Sequence, residues 1–422
     1  LKGGCVMDSL SDLIGRELSC ACGALHHCPV KHVIIENGAL KRIEELCGGY
    51  RRLLLVMDAN TEAVCGASVR NRFKAAKIGF DEIVFQDKLL VPNEKALGRI
   101  EERVHRDTDL IIGIGSGVIN DLCKYVSHQK ELPYFIIATA PSMDGYASPV
   151  AALILNHLKI TRQAHVPDAI IADIDILRSA PFEMIQAGYG DVIGKFSSLN
   201  DWKLSHLVTG ESFCPFIHDL VMDAAAKAHS MADGLIRRSE QAVKALMEAL
   251  IATGVAMCYA GNSRPASGSE HHLSHFFEVT GLLYGRTCLL HGLDVAYSSV
   301  KTAELRQELV RNGYRHKPFD INAWENKMRS VYGSAAEGVI GLQKKLGWLG
   351  TDRSKALNPI WLEITDILKS SPSSDDMREY LAKAGLNYRD FEKTYGSAVI
   401  DDAVHCAKYL KDRFTVLWLC ED

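Results

Sequence analysis

Six short apolar runs, rich in β-branched residues, constrain the fold of this chain more than any other feature. They are Lys31-His-Val-Ile-Ile35, Leu53 to Met57, Glu82-Ile-Val-Phe85, Leu110 to Ile114, Tyr134-Phe-Ile-Ile137 and Ala169 to Ala172. Each is short for a helix, and stretches of helical spacing lie between them. Strands that alternate with helices read as a mostly parallel sheet with helices on its faces. From about residue 182 the strand signal stops, and Glu240 to Ile251, Thr302 to Val310 and Ala403 to Phe414 carry helical spacing instead. The expected fold class is therefore α/β, with an N-terminal sheet domain over 1–181 and an all-helical C-terminal domain over 182–422. Val150 to Ile154 and Lys159 to Thr161 add a hairpin around Asn156-His157.

The helical part holds a cluster of metal-ligating residues, Ser267-Gly-Ser-Glu-His-His-Leu-Ser-His275, followed by His291-Gly292. His271 and His275 are four apart and share one helical face, whereas His272 points about 100° away. Neutral imidazole is a common borderline ligand, and two imidazoles with one carboxylate leave coordination positions open for substrate. With 16 histidines in the chain, pairs at helical spacing also arise by chance. The company of this cluster raises it above chance. Gly188-Tyr-Gly-Asp-Val-Ile-Gly-Lys195 opens a helical pattern and carries Asp191. An aspartate there ordinarily caps the helix or complements its dipole. Set beside His271 and His291, it completes a three-ligand site with room for a bidentate substrate.

A third cluster lies earlier. The run Asp109 to Gly115 reads as a buried strand leading into Ser116-Gly-Val-Ile-Asn-Asp121. Small residues at a strand-to-helix turn let backbone N–H groups approach a pyrophosphate at the helix N-terminus. The order of parts departs from the usual dinucleotide fingerprint, in which an acidic residue follows the glycines by about 20 positions. Here the candidate acid, Asp58, ends an earlier strand.

Together, Gly115 to Asp121 with Lys124-Tyr125, Thr139 to Ser148, Gly188 to Lys195 and Arg264-Pro-Ala-Ser-Gly-Ser-Glu-His271 resemble the iron-containing alcohol dehydrogenase and dehydroquinate-synthase-like superfamily. Within it they are most similar to the glycerol-1-phosphate dehydrogenases of bacterial type, over residues 15–300. Glycerol dehydrogenases resemble the chain less, since they lack the run Arg264 to His271. The resemblance implies a Rossmann-like sheet domain, a helical domain and an active site in the cleft between them, with Asp144 on one wall and Asp191, His271 and His291 on the other.

Position by position, the resemblance implies that Asp58 accepts the adenosine ribose hydroxyls. A carboxylate there repels a 2′-phosphate, which favours NAD over NADP while leaving NADP possible. Gly117, Val118, Ile119, Asn120 and Asp121 would cradle the pyrophosphate, and Thr139, Ala140, Pro141, Ser142 and Ser148 would line the nicotinamide side. Asp144 would hold the substrate hydroxyls. Asp191, His271 and His291 would bind one divalent ion per subunit, with zinc, nickel and ferrous iron all suited to the donor set. His275 would contact the substrate and take part in proton transfer or orientation. The substrate phosphate needs cationic donors, for which Lys195 and Arg264 are candidates by proximity in sequence; a structural salt bridge is the competing reading for each.

The activity implied is metal-dependent hydride transfer between NAD(P) and dihydroxyacetone phosphate, giving sn-glycerol-1-phosphate. Three alternatives stand beside it: a polyol dehydrogenase, an NAD-using carbocycle-forming lyase and a nucleotide sensor without turnover. Cys20, Cys22, His26, His27 and Cys28 offer soft ligands at close spacing, but a structural zinc finger uses two separated pairs and no second pair lies nearby. Buried structural cysteines are the competing reading.

The formal charge of −4 gives no electrostatic case for nucleic acid or an anionic membrane. No apolar run reaches the roughly 20 residues of a membrane span, and Leu1 to Ser19 has no signal-peptide core. The 12 irregularly placed cysteines fit reduced thiols in a cytoplasm. The resemblance further implies a homodimer or larger homo-oligomer, and the tryptophans beyond residue 300 read as packing.

Overall fold

The computed structural model describes residues 10–155 and 158–420. All six apolar runs become strands of one sheet: β1 (His32–Glu36), β2 (Arg52–Asp58), β3 (Gly79–Phe85), β4 (Leu110–Gly115), β5 (Tyr134–Ala138) and β6 (Ala169–Asp173). Their order is β1-β6-β5-β4-β2-β3, and every neighbouring pair is parallel. Strands β4, β5 and β6 are buried along their whole length, as expected of apolar residues on both faces of a covered sheet. Helix α1 (Gly117–Gln129) follows β4 directly. On one side of the sheet Leu55, Met57, Phe73, Ile112 and Ile114 pack into a single apolar cluster.

Register decides where function sits. Met57 pairs with Ile114, and Gly115 pairs with Ala138. The carboxyl ends of β2, β4 and β5 therefore finish side by side, the edge at which open parallel sheets bind ligands. The hairpin of Val150–Leu155 and Leu158–Gln163 forms as the sequence predicts, in register Leu155 with Leu158. Its turn, Asn156-His157, lies outside the described residues, as does the stretch 1–9 of the N-terminal segment. A further hairpin, Glu17–Ser19 with Leu25–His27, has strands too short to give a readable period.

Five longer helices carry the rest of the argument: α2 (Phe182–Ile193), α3 (Lys195–Thr209), α4 (Glu240–Ala260), α5 (Ser269–Tyr284) and α6 (His291–Asn312). The sequence pattern changes once, at residue 182, but the compact units do not divide there. One unit comprises Leu1–Gly188 with Asp233–Asn262, and the other Tyr189–Ala232 with Ser263–Asp422. The reason is α4, whose apolar residues cover all its faces and bury it against first-unit partners. A Cβ on Gly254 would stand 2.9 Å from that of Ala147, and Cys258 donates to the Ala147 carbonyl at 3.2 Å. This 21-residue helix is long and apolar enough to cross a membrane, yet 83% of its most apolar window is buried within the protein. In the second unit, Trp348 packs edge-on against Trp418 and Trp324 against Tyr409.

Candidate functional site

The second unit brings Asp191, His271 and His291 together, with one donor atom from each lying within 4.8 Å of the others. Asp191 is near the end of α2, His271 in the first turn of α5, and His291 opens α6. Glycines permit this convergence. A Cβ on Gly190 would lie 2.2 Å from the Gly292 carbonyl oxygen, and one on Gly194 would lie 2.5 Å from Val295, so α2 and α6 approach backbone to backbone. The ring of His271 stands 5.1 Å from that of His291 and 6.2 Å from that of His275. His272 is buried on another face of α5, where burial and the cations Lys411, Arg413 and Arg264 hold its pKa well below normal.

Two glutamates that sequence reasoning did not single out stand behind the imidazoles. His271 Nδ1 donates to Glu270 Oε1 at 2.7 Å, and His291 Nδ1 donates to Glu278 Oε1 at 2.9 Å. With Nδ1 tied to a glutamate, Nε2 is the ring atom left for a metal ion; His271 Nε2 lies 3.5 Å from Asp191 Oδ1, and although burial acts to lower the ring's pKa, its bonds to Asp191 and Glu270 raise it. Burial acts to raise the Glu270 carboxyl, but the bond and charge of His271, joined by the Gly268 N–H and Ser197, together outweigh this and hold it at about 2. Asp201, also buried, ties the site to the fold by accepting from the Ser269 N–H at the start of α5 (2.7 Å) and from Val416 N–H (2.9 Å). Glu278 also joins His275 and His291 in a second group whose donor atoms lie within 4.8 Å of one another. The spacing rule that found the histidines carries no signal for these carboxylates, because Glu270 is adjacent to the residue it orients.

One carboxylate with two oriented imidazoles is a donor set that fits a single divalent ion with open positions. Lys195 tempers it. Its ammonium is fully buried, donating to Asp191 Oδ1 at 2.8 Å and to the Ala266 carbonyl at 3.0 Å. Burial acts to raise the Asp191 carboxyl, yet Lys195, then His271 and His291, hold it far below the ordinary range. Arg264 is likewise engaged inside the unit. Its guanidinium pairs with Glu211 and donates to Ser205 Oγ (3.0 Å) and the Phe414 carbonyl (2.9 Å).

In the first unit the expected nucleotide residues gather at the carboxyl edge of the sheet. Asp58 ends β2, half-buried, and accepts from Thr61 N–H at 2.9 Å in a capping box. Gly115 lets α1 start against the strand, since a Cβ there would stand 2.6 Å from the Ile119 Cβ. Ser116 makes no side-chain bond to the first turn of α1, and Ser116, Gly117 and Val118 are partly exposed there. Ile119 and Asn120 are buried, and the carboxamide of Asn120 accepts from Tyr134 OH at 2.9 Å. Asp121 accepts from the Ala152 N–H at 3.2 Å, which ties α1 to the hairpin.

The loop from Thr139 to Ser148 is held from beneath. Buried Lys124 donates to the Gly145 carbonyl at 2.6 Å, to Ser148 Oγ at 3.1 Å and to the Val150 carbonyl at 3.1 Å. Burial lowers the Lys124 pKa against the opposing pull of Asp121 and Asp144. Tyr146 OH donates to the Ala140 carbonyl, and Asp144 precedes the short turn Gly145–Ala147. Gly188 is required here, since a Cβ on it would fall 1.7 Å from the Pro141 carbonyl oxygen. Thr139 and Ser148 are buried, whereas Ser142 and Asp144 are partly exposed.

Residues 34–181 match the family model described as iron-containing alcohol dehydrogenase. The chain is 31% identical over 405 residues to glycerol-1-phosphate dehydrogenase (NAD(P)+) of Halalkalibacterium halodurans, covering 94% of each. It is 33% identical over 272 residues to the enzyme of that name from Hyperthermus butylicus, covering 64% of this chain and 76% of the relative. Among solved structures, sulfoacetaldehyde reductase from Bifidobacterium kashiwanohense aligns with a TM-score of 0.59 at 14% identity, over 92% of this chain and 93% of that one. Glycerol dehydrogenase from Schizosaccharomyces pombe aligns at 0.53 and 16%, over 92% and 94%. At such identities these two likenesses speak to fold alone.

Proposed function

The chain belongs to the glycerol-1-phosphate dehydrogenase family, within the iron-containing alcohol dehydrogenase superfamily, and from that premise we propose that it interconverts dihydroxyacetone phosphate and sn-glycerol-1-phosphate with NAD(P) and one divalent ion. The observation that carries this reading is the meeting of Asp191, His271 and His291, with Glu270 and Glu278 orienting the two rings. When bound, the ion supplies a Lewis acid for the substrate oxygen and the nicotinamide supplies or takes the hydride.

The residues of the chain do the rest. Glu270 and Glu278 keep the ring protons on Nδ1, so His271 and His291 offer lone pairs rather than N–H groups. Asp58 accepts from the ribose hydroxyls, and its charge disfavours a 2′-phosphate. The N–H groups at Gly117 and Val118 receive the pyrophosphate. Thr139, Ala140, Pro141, Ser142 and Ser148 shape the nicotinamide side, and Asp144 accepts from the substrate hydroxyls. His275, whose ring is 5.7 Å from that of His291, orients the substrate and relays its proton.

The engaged state of Lys195 and Arg264 favours giving them a supporting role, one balancing Asp191 and the other bracing the segment before α5. That same observation keeps a polyol dehydrogenase as the second reading, since neither cation is open to a phosphate. NADH oxidation by metal-stripped protein, with zinc, nickel or iron restored singly, separates the two. Dihydroxyacetone phosphate turning over where dihydroxyacetone does not supports the proposal. Equal or better turnover of dihydroxyacetone moves the chain to the polyol dehydrogenases, and silence with both overturns a dehydrogenase role.

A further inference from the structure

We propose that the N-terminal hairpin of the first unit holds a second metal ion, a zinc bound by Cys20, Cys22 and His26. The hairpin pairs Leu18 with His26, and its loop closes through Cys20 N–H to the Ala24 carbonyl (3.1 Å) and Gly23 N–H to the Cys20 carbonyl (3.0 Å). Gly23 sits at φ +85°, a left-handed conformation natural to glycine, which folds the loop back on itself. The result places the two sulfurs and a ring nitrogen of His26 within 4.8 Å of one another.

His26 shows how the ion is received. It is 3% exposed, and its Nδ1–H donates to the Tyr259 carbonyl at 3.1 Å while its ring stacks on that of Tyr259. That bond fixes the tautomer and turns Nε2, as a lone pair, toward Cys22 Sγ at 3.4 Å. An imidazole backed by a carbonyl and aimed at a thiol is the arrangement of a zinc-bound histidine with its outer partner already made. The proton between Cys22 and His26 is the one a divalent ion displaces. On binding, both thiols release their protons to solvent, and the fourth position falls to water or a donor from outside the hairpin.

The donor set also separates this ion from the one proposed above. Two thiolates and an imidazole are soft and select zinc, whereas Asp191, His271 and His291 form a harder, borderline set. A thiolate-rich site in this position is structural: through His26 it pins the hairpin to α4 at Tyr259.

Full-length protein purified under reducing conditions and loaded with zinc tests the proposal by metal count. Two ions per chain are expected, falling by one in a Cys20→Ser/Cys22→Ser variant and by one, independently, in Asp191→Asn. The readout is total metal by mass spectrometry, so it does not depend on which substrate the enzyme uses. Cobalt(II) added to unmodified, metal-free protein supplies a check that needs no variant. Thiolate-to-cobalt charge-transfer absorption supports the site, and cobalt bound without such a band overturns it. An unchanged metal count in the double variant, or a Cys20–Cys22 disulfide in the native protein that persists through zinc loading, also overturns it.

Discussion

The two functional regions are built on opposite principles. At the sheet edge of the first unit the proposed binding falls to backbone, and the side chains of Lys124, Asn120, Asp121 and Tyr146 are occupied in holding loops. In the second unit the proposed binding falls to side chains, and each is held by another: His271 by Glu270, His291 by Glu278, Asp191 by Lys195. A backbone site fails when an atom is added. A side-chain site fails when a charge or an orienting partner is removed. Substitutions should therefore damage the two regions by different routes.

The largest expected effect is on the side-chain region. Asp191→Asn removes the carboxylate ligand and should lower turnover by on the order of 1000-fold, about 4 kcal/mol of transition-state stabilisation. It also leaves the Lys195 ammonium buried without its counter-charge, a loss of about 3–5 kcal/mol in comparable buried pairs. Metal content and NADH binding, measured together, check the contrast. The ion should go, while NADH affinity should stay within a few-fold of the unmodified protein.

The adjacent glycines sharpen the comparison, because they lie one turn or less apart on α2 and belong to different units. Gly188→Ala drives a Cβ into the Pro141 carbonyl and must displace the loop proposed for the nicotinamide. Gly190→Ala drives one into the Gly292 carbonyl and must displace His291. Each overpacking should destabilise by about 1–3 kcal/mol. Gly188→Ala should weaken NADH binding and keep the metal; Gly190→Ala should do the reverse. Calorimetric titration of NADH and of zinc on both variants would break the comparison if the two behaved alike.

The same contrast explains what the sequence reveals. All six strands are legible, because a sheet covered on both faces demands unbroken apolar runs. The edge at Gly115 to Gly117 is legible, because a close backbone approach leaves only small residues, and that signature survives in one dimension. Asp191, His271 and His291 are legible as residue types, and their motifs match a known family. Glu270 and Glu278 are not, since a glutamate beside or between helical histidines is also what any solvated helix face carries. Nor does Lys195 announce a buried partner for Asp191; at i, i+4 it reads equally as a surface pair or a phosphate ligand. The placement of α4 in the first unit is invisible for another reason. An all-round apolar helix says that it is buried, not against what.

The orienting glutamates give the next prediction. Glu270→Gln and Glu278→Gln keep an acceptor oxygen for the imidazole N–H but remove its charge, so metal affinity should fall about 10–100-fold, the usual result of losing an outer partner. Glu270 is fully buried and Glu278 is partly exposed, so the first substitution should cost more. Zinc competition against a chromophoric chelator measures both. Equal, negligible losses would mean that packing alone holds the rings, and the second unit would then resemble the first in its design.

The smallest effect is reserved for Asp58, the one side chain proposed to act directly at the backbone edge. Asp58 caps the turn after β2 by accepting from Thr61 N–H. Asparagine caps nearly as well, so Asp58→Asn should leave folding unchanged and remove only the charge. If that charge faces the ribose, the ratio of kcat/KM for NADH over NADPH should fall by about tenfold, which corresponds to about 1.4 kcal/mol. An unchanged ratio would reduce Asp58 to its capping role and leave the first unit with a purely backbone-built nucleotide edge, making the contrast with the second unit complete.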